Sequence, residues 1–167
     1  MSTLRITAGS LRGRRVPVPP RDVRPTSERA RQAYFNVVGE RIEGARFLDL
    51  FAGSGIFSFE AVSRGAASST AVEENRKYAA AIEKLAGEWG VNVTVLARDV
   101  FKALPKLGTF DLVYADPPYE FGRYDELVET LNPAGALVAI EHRRGVALPV
   151  SGDTREYGEV SITFFSR

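Results

Sequence analysis

From Arg46 onward the chain alternates short apolar runs with stretches whose apolar residues recur at helical spacing. Phe47-Leu48-Asp49-Leu50-Phe51 predicts a first strand, and Ile56 to Arg64 a mostly apolar helix. Ser69 to Val72 predicts a second strand. Asn75 can cap a helix whose apolar face is Tyr78, Ala79, Ile82, Leu85, Ala86 and Trp89, closed by Gly90. Val91 to Ala97 predicts a third strand with a short helix to Leu104 after it, and Leu112 to Ala115 a fourth. A helix over Tyr124–Leu131, a turn at Pro133-Ala134-Gly135 and a fifth strand over Ala136–Glu141 follow. Arg155-Glu156-Tyr157 and Val160 to Phe165 flank Gly158-Glu159 as a closing antiparallel hairpin. Strands alternating with helices imply an α/β fold, a mostly parallel twisted sheet with helices on both faces. Right-handed crossovers then bring the carboxyl ends of the first four strands to one edge.

The first 45 residues are patterned differently. Leu4 to Ala8 alternates, Gly9 to Gly13 is turn-rich, and Arg14 to Val18 returns as a second short strand, a basic β-hairpin that Pro19 and Pro20 end. Arg24-Pro25-Thr26-Ser27 predicts a helix start capped by Thr26 or Ser27. Ala30, Ala33, Tyr34, Val37 and Val38 form its buried face, which leaves Arg24, Arg29 and Arg31 outside. Gly39 and Gly44 bound the linker. Residues 1–45 are expected to form a hairpin-and-helix extension, and 46–167 the main domain.

Charge sharpens this division. Up to Arg31 there are eight arginines against two acids, a net of +6, so the remainder carries −5 of the chain's +1. Arginine suits bidentate phosphate contacts and stacking on bases, so Arg5, Arg12, Arg14, Arg15, Arg24, Arg29 and Arg31 are candidate nucleic-acid contacts. With no cysteine, thiolate metal sites and disulfides are excluded. A signal-peptide pattern and a membrane-length apolar run are lacking, so a soluble cytoplasmic protein is expected.

The candidate chemistry lies at the expected sheet edge. Asp116-Pro117-Pro118-Tyr119 follows the fourth strand. Two prolines lack N–H donors and fix φ, so carbonyl acceptors stand there beside a carboxylate and an aromatic face. An exocyclic nucleobase amine fits: Asp116 and the Pro117 carbonyl accept its protons while Tyr119 stacks on the ring. Gly53 and Gly55 allow close backbone approach between strand and helix. Glu73, 20 residues past Gly53, stands where an acid can hold ribose hydroxyls. Asp99 is either a helix N-cap or an acceptor for an adenine amine, with the Val100 N–H meeting a ring nitrogen. His142, the one histidine, is expected to be structural.

This order of motifs resembles the class I S-adenosylmethionine-dependent methyltransferases, which have a Rossmann-like fold. Asp49-Leu50-Phe51-Ala52-Gly53-Ser54-Gly55 is similar to their cofactor loop, which implies cofactor contacts at Asp49, Phe51, Ala52, Gly53, Ser54, Gly55, Glu73, Asp99 and Val100. Asp116 to Tyr119 is similar to the catalytic motif of those that methylate planar amines. Arg5-Ile6-x-x-Gly9-x-x-Arg12-Gly13-Arg14 and Arg24-Pro25-Thr26-x-x-Arg29-x-Arg31-x-x-x-Phe35-Asn36 resemble the N-terminal motifs of one family, the RsmD family of bacterial 16S rRNA (guanine-N2)-methyltransferases. Gln32 departs from the pattern, standing where an acid is expected. The resemblance implies S-adenosylmethionine as donor and a guanine of 16S rRNA as acceptor, within a 30S or pre-30S particle; a monomer is expected, and the chemistry needs no metal. Competing readings are a DNA adenine-N6 or cytosine-N4 amino-methyltransferase, which usually has a larger target-recognition region, and a nucleic-acid-binding module with a vestigial cofactor site. A nicotinamide oxidoreductase is disfavoured because the glycine turn lacks the third glycine of the dinucleotide fingerprint.

Overall fold

Alternate residues of the central strand feed two separate cores, and this sets the architecture. The structure, a computed structural model, describes residues 2–19, 27–131 and 136–166. Arg24, the candidate cap Thr26 and the Pro133-Ala134-Gly135 turn lie outside the described residues. In chain order the elements are β1 (Thr3–Arg5), β2 (Arg15–Pro17), α1 (Glu28–Val38), a 3-10 turn (Gly39–Ile42), β3 (Arg46–Leu50), α2 (Ile56–Ser63), β4 (Ser68–Val72) and α3 (Arg76–Trp89). There follow β5 (Val93–Leu96), α4 (Val100–Ala103) with a 3-10 turn (Leu104–Lys106), β6 (Leu112–Ala115), α5 (Tyr124–Thr130), β7 (Leu137–Arg143), β8 (Asp153–Tyr157) and β9 (Val160–Ser166).

The caps are those the sequence offers. Ser27 Oγ accepts the Ala30 N–H at 2.9 Å, and Asn75 Oδ1 accepts from Lys77 and Tyr78. Gly90 ends α3 in the left-handed region at φ 62°.

The large sheet has the order β5-β4-β3-β6-β7-β9-β8. Its first five strands run parallel, and β9 pairs antiparallel with both β7 and β8. This is the Rossmann-like arrangement with a closing hairpin. The direction of strand succession reverses between β3 and β6, which opens a crevice beyond their carboxyl ends. The register aligns that edge: Leu50 pairs with Val72 and Ala115, Val72 with Leu96, and Ala115 with Ile140.

One core joins Phe47, Leu112, Tyr114, Ala139, Ile162 and Phe164 to α1, α2, α3 and the small hairpin. On the opposite face Leu48, Leu50, Val113, Val138, Ile140 and Phe165 pack against α4 and α5. Ile6, Leu11 and Val16 are buried in the first core, each worth about 1.5–3 kcal/mol by apolar burial. The hairpin and α1 therefore pack as part of the same layer as α2 and α3.

That packing corrects one expectation. Arg31 does not stand outside α1: it is fully buried, its Nη2 donating to the Arg5 carbonyl at 2.7 Å and its Nε 3.3 Å from Glu60 Oε1. The buried stripe is Arg31, Tyr34, Phe35 and Val38 with Ala30, the i, i+3, i+4, i+7 pattern of a helix face. Buried Glu60 also accepts from the Thr7 and Ala8 N–H groups and from Arg64 Nε, so one carboxylate clamps the hairpin, α1 and α2 together.

Candidate active site

The turn from β3 into α2 is held by side chains at both ends. Asp49 Oδ2 accepts the Ser58 hydroxyl at 2.7 Å and the Ser58 N–H at 3.2 Å, tying strand to helix in a fully buried position. Burial pushes the Asp49 carboxyl up to about 7, against the Ser58 bonds that favour its ionised form; the nearby Glu73 adds to the rise. Phe51 adopts φ 60°, the one described non-glycine residue with positive φ, a strained conformation at the mouth of the loop. Gly53 follows at φ 59° and Gly55 at φ 81°. A Cβ on Gly55 would come within 3.0 Å of the Ile82 side chain, whereas one on Gly53 would meet nothing within 4 Å. Gly55 thus serves helix packing, and Gly53 leaves bare backbone at the crevice. Ser54 Oγ accepts from the Ile56 N–H at 3.3 Å.

Glu73 leans across this turn. Its Oε1 accepts the Gly53 N–H and its Oε2 the Asn75 N–H, both at 2.8 Å, so it fixes the glycine loop to the start of α3. Asp99 caps α4: its Oδ1 accepts from Phe101 at 2.9 Å and Lys102 at 3.3 Å. Both bonds fall on one oxygen, so the N-cap role leaves the other oxygen outside the capping geometry. Val100 is buried behind it.

At the end of β6, the Asp116 N–H donates to the Leu50 carbonyl at 3.2 Å, which seats the motif beside the glycine turn. The Phe121 N–H takes the Pro118 carbonyl at 3.0 Å, so of the two prolyl carbonyls Pro117 is the one that this turn does not use. Tyr119 is 52% exposed, with the Arg143 guanidinium 4.6 Å from its ring centroid. Beneath the motif Tyr114 stacks on Phe57 at 3.8 Å and donates its hydroxyl to Glu141 at 2.5 Å. Burial first, and then Glu141, raises the Tyr114 phenol far above its ordinary value; it stays protonated as a donor.

These groups meet around one cavity of about 580 Å3, within the usual size for small-molecule sites. Asp49, Phe51, Ala52, Gly53, Ser54, Glu73, Asp99 and Val100 line it together with Asp116, Pro117, Pro118 and Tyr119; Gly55 sits behind the wall. A nucleoside-bearing cofactor fits this lining: the acids Glu73 and Asp99 as acceptors, an open glycine backbone and apolar walls. The sequence reading missed part of those walls. Phe101 and Phe121 lie nearly parallel, 6.2 Å apart, and the Arg123 guanidinium sits 3.8 Å from the Phe101 centroid while pairing with Glu126. Phe101 follows Asp99 by two residues, and Phe121 follows Tyr119 by two; their closeness in sequence to two candidate site residues was the available signal.

The arginines separate. Arg12, Arg14 and Arg15 are exposed, but the hairpin tip rests on the far end of the helices: Ser10 N–H donates to the Ser63 carbonyl, and Arg14 lies 5.4 Å over Trp89. Trp89 is 11 residues along α3 from Tyr78, which lines the cavity, or about 16 Å. Arg5 pairs with Glu28 at 3.0 Å and Arg29 is exposed on α1. Pro19, which ends the described hairpin segment, reaches the cavity. His142 is buried in β7 with Nε2 2.7 Å from Thr163 Oγ1.

Comparison with known proteins bears on the fold and the family. The family model described as Conserved hypothetical protein 95 matches residues 4–166. Ribosomal RNA small subunit methyltransferase D of Escherichia coli K12 is 36% identical over 154 residues, covering 87% of this chain and 78% of that protein. The solved structure of the Escherichia coli protein yhhF superposes with a TM-score of 0.87 at 31% identity, over 99% of this chain and 98% of that one. At 18% identity the 16S rRNA N2 methyltransferase RsmC of T. thermophilus, solved with AdoMet and guanosine, shares the fold alone, with a TM-score of 0.73 over 99% of this chain and 50% of that one. With the family model spanning nearly its whole length and a relative 36% identical over most of it, the chain belongs to the RsmD family, the relatives of ribosomal RNA small subunit methyltransferase D.

Proposed function

We propose that this chain transfers a methyl group from S-adenosylmethionine to the exocyclic N2 amine of a guanine in 16S rRNA, as a monomer acting on a 30S or pre-30S particle. The observation that carries this reading is the meeting of Asp116-Pro117-Pro118-Tyr119 with Gly53 and Glu73 on one cavity. Family membership supports rRNA methylation by a class that uses this donor.

Bound S-adenosylmethionine supplies an electrophilic methyl group on a sulfonium. Glu73 and Asp99 are the acids placed to hold its hydroxyls and amine, the bare backbone at Gly53 lets it approach, and Phe101 and Phe121 give apolar faces. The guanine amine has its lone pair delocalised into the ring. Hydrogen bonds from its two protons to Asp116 and the Pro117 carbonyl localise that pair on nitrogen and aim it at the methyl group. Tyr119, braced by Arg143, stacks on the base, which must be unpaired or flipped to enter. As the N–C bond forms, the methyl–sulfur bond would break with its electron pair left on a neutral thioether, and one amine proton leaves; Asp116, half-buried at the mouth, accepts it and passes it to water.

Labelled methyl transfer to 30S particles, naked 16S rRNA and DNA, followed by nucleoside analysis, tests the reading. N2-methylguanine in RNA is expected, and N6-methyladenine or N4-methylcytosine in DNA would overturn it. Asp116→Ala should lower transfer by roughly 10²–10⁴-fold with cofactor affinity retained; near-normal turnover would reduce the motif to a turn.

A further inference from the structure

A second cavity lies on the face of α1 that points away from the core. It is a groove of about 540 Å3 between α1 and the end of β8, lined by Arg29, Gln32, Asn36, Glu156 and Tyr157 among others. The catalytic reading uses none of these residues.

The groove is joined to the cavity mouth by a run of contacts. Arg143 closes β7 opposite Val160 and covers the Tyr119 ring. The next residue, Arg144, donates its N–H to the Glu159 carbonyl at 2.9 Å and pairs through Nε with Glu156 Oε2 at 2.7 Å. Glu156 and Tyr157 then form the groove wall facing α1. A strand leaving the Asp116 site past Tyr119 would therefore meet Arg143, Arg144 and the groove in that order.

The chemistry of the lining suits an unpaired nucleotide strand. Gln32 and Asn36 stand four apart on the exposed face of α1, so their amides are neighbours. Each presents a donor and an acceptor, the pairing needed for a base edge. Tyr157 offers a half-exposed ring for stacking. Both acids of the groove are already paired, Glu28 with Arg5 at 3.0 Å and Glu156 with Arg144, so they repel phosphate little. Base edges within an RNA duplex are poorly reachable, which favours a single strand.

We propose that this groove holds the unpaired RNA flanking the target nucleotide, with Gln32 and Asn36 contacting its base edges and Arg143 and Arg144 its backbone. The proposal rests on the reading of the Asp116 site as one that methylates an RNA base, and it places sequence-dependent contacts on α1 rather than at the distant tip with Arg12, Arg14 and Arg15.

Two measurements on the full chain test it. The first is methyl-transfer kinetics of the paired substitution Gln32→Ala and Asn36→Ala, with Arg41→Ala as a control for exposed charge. Loss of two hydrogen bonds should raise KM for the RNA substrate about 5–50-fold, with kcat and cofactor affinity close to those of the parent. A parental KM overturns the proposal. The second places a photoreactive amino acid at position 36 and maps crosslinks on 30S particles and on naked 16S rRNA. Crosslinks to rRNA are expected, and crosslinks only to a ribosomal protein, or none, overturn the groove. Crosslinking needs no methyl transfer: rRNA crosslinks without transfer would refute the methylation reading and leave the groove standing. Transfer without rRNA crosslinks would do the reverse.

Discussion

Asp49 should make cofactor binding depend on pH, to an extent that follows from its burial. Its carboxyl is 2% exposed, and its pKa rises from 3.8 to about 7. A rise of about three units corresponds to about 4 kcal/mol at 1.36 kcal/mol per unit. The folded protein holds the proton between pH 3.8 and 7 while the unfolded chain has released it, so the contribution to stability falls as pH rises through that window. It is most favourable below the unfolded pKa and lost above the folded one. The cavity that Asp49 lines is proposed to take a cofactor carrying a sulfonium and an ammonium, and both cations favour the ionised carboxylate. Binding should then release the proton, and affinity should weaken roughly tenfold for each pH unit below about 7, down to about pH 5. Titration calorimetry at pH 6 in buffers of different ionisation enthalpy should detect close to one proton released per cofactor. Asp49→Asn should remove that release and flatten affinity between pH 5 and 7, and comparison with the parent cancels any other titrating group. A parent whose affinity is flat over this range, or a variant with the parent's slope, refutes the argument.

Two further perturbations bear on the N-terminal segment. Glu60→Ala leaves Arg31 buried without its carboxylate and should cost about 3–5 kcal/mol, seen as a thermal midpoint lower by roughly 10 °C; Glu60→Gln, which keeps acceptors for Thr7, should recover part of it. Replacing Arg12, Arg14 and Arg15 together by Ala should reduce the log–log salt slope of RNA binding by roughly 0.7–0.9 per lost contact with cofactor affinity unchanged, and an unaltered slope in a binding titration would remove the hairpin tip from the RNA interface.

Much of the sheet was legible because parallel strands buried on both faces are continuous apolar runs, and Leu112 to Ala115 could hardly be anything else. Boundaries moved by a few residues at most: β5 keeps only Val93–Leu96 of the stretch Val91–Ala97, and β7 runs on to Arg143. Turn and cap chemistry placed Asn75 and Gly90 correctly, since those positions depend on local geometry, and the N-cap was one of the two roles open to Asp99. The error in α1 has a definite cause. Reading Ala33 and Val37 as buried turned the helical face away from Phe35 and put Arg31 outside, because a charged residue on a core stripe is unexpected until its partner is known. That partner, Glu60, lies 29 residues on and in another helix, and nothing local announces the pairing. Asp49 shows the same limit. Its place in the glycine loop was evident, but its bonds to Ser58, and hence its proton affinity, depend on how β3 and α2 close on each other.

Tyr34 gives the same coupling a test in which stability should rise. Its ring packs edge-on against Phe35, Phe57 and Tyr114 with centroids 4.9–5.7 Å apart and lies parallel to Phe164 at 6.0 Å. It thereby joins α1 to the aromatic floor under Asp116. The hydroxyl has no hydrogen-bond partner among the described residues, and burial raises the phenol well above its ordinary value, with Asp49 adding to the rise. A buried hydroxyl without a partner costs about 1–3 kcal/mol, whereas the ring contacts belong to carbon atoms that phenylalanine retains. Tyr34→Phe should therefore raise the thermal midpoint by about 2–6 °C and leave methyl transfer unchanged, provided the packing of Phe57 and Tyr114 is what the site needs. Tyr34→Ala, which removes the ring, should lose about 3–5 kcal/mol and weaken transfer with it. If Tyr34→Phe were instead less stable than the parent, the hydroxyl would have a partner, and the aromatic block would owe part of its rigidity to a polar contact.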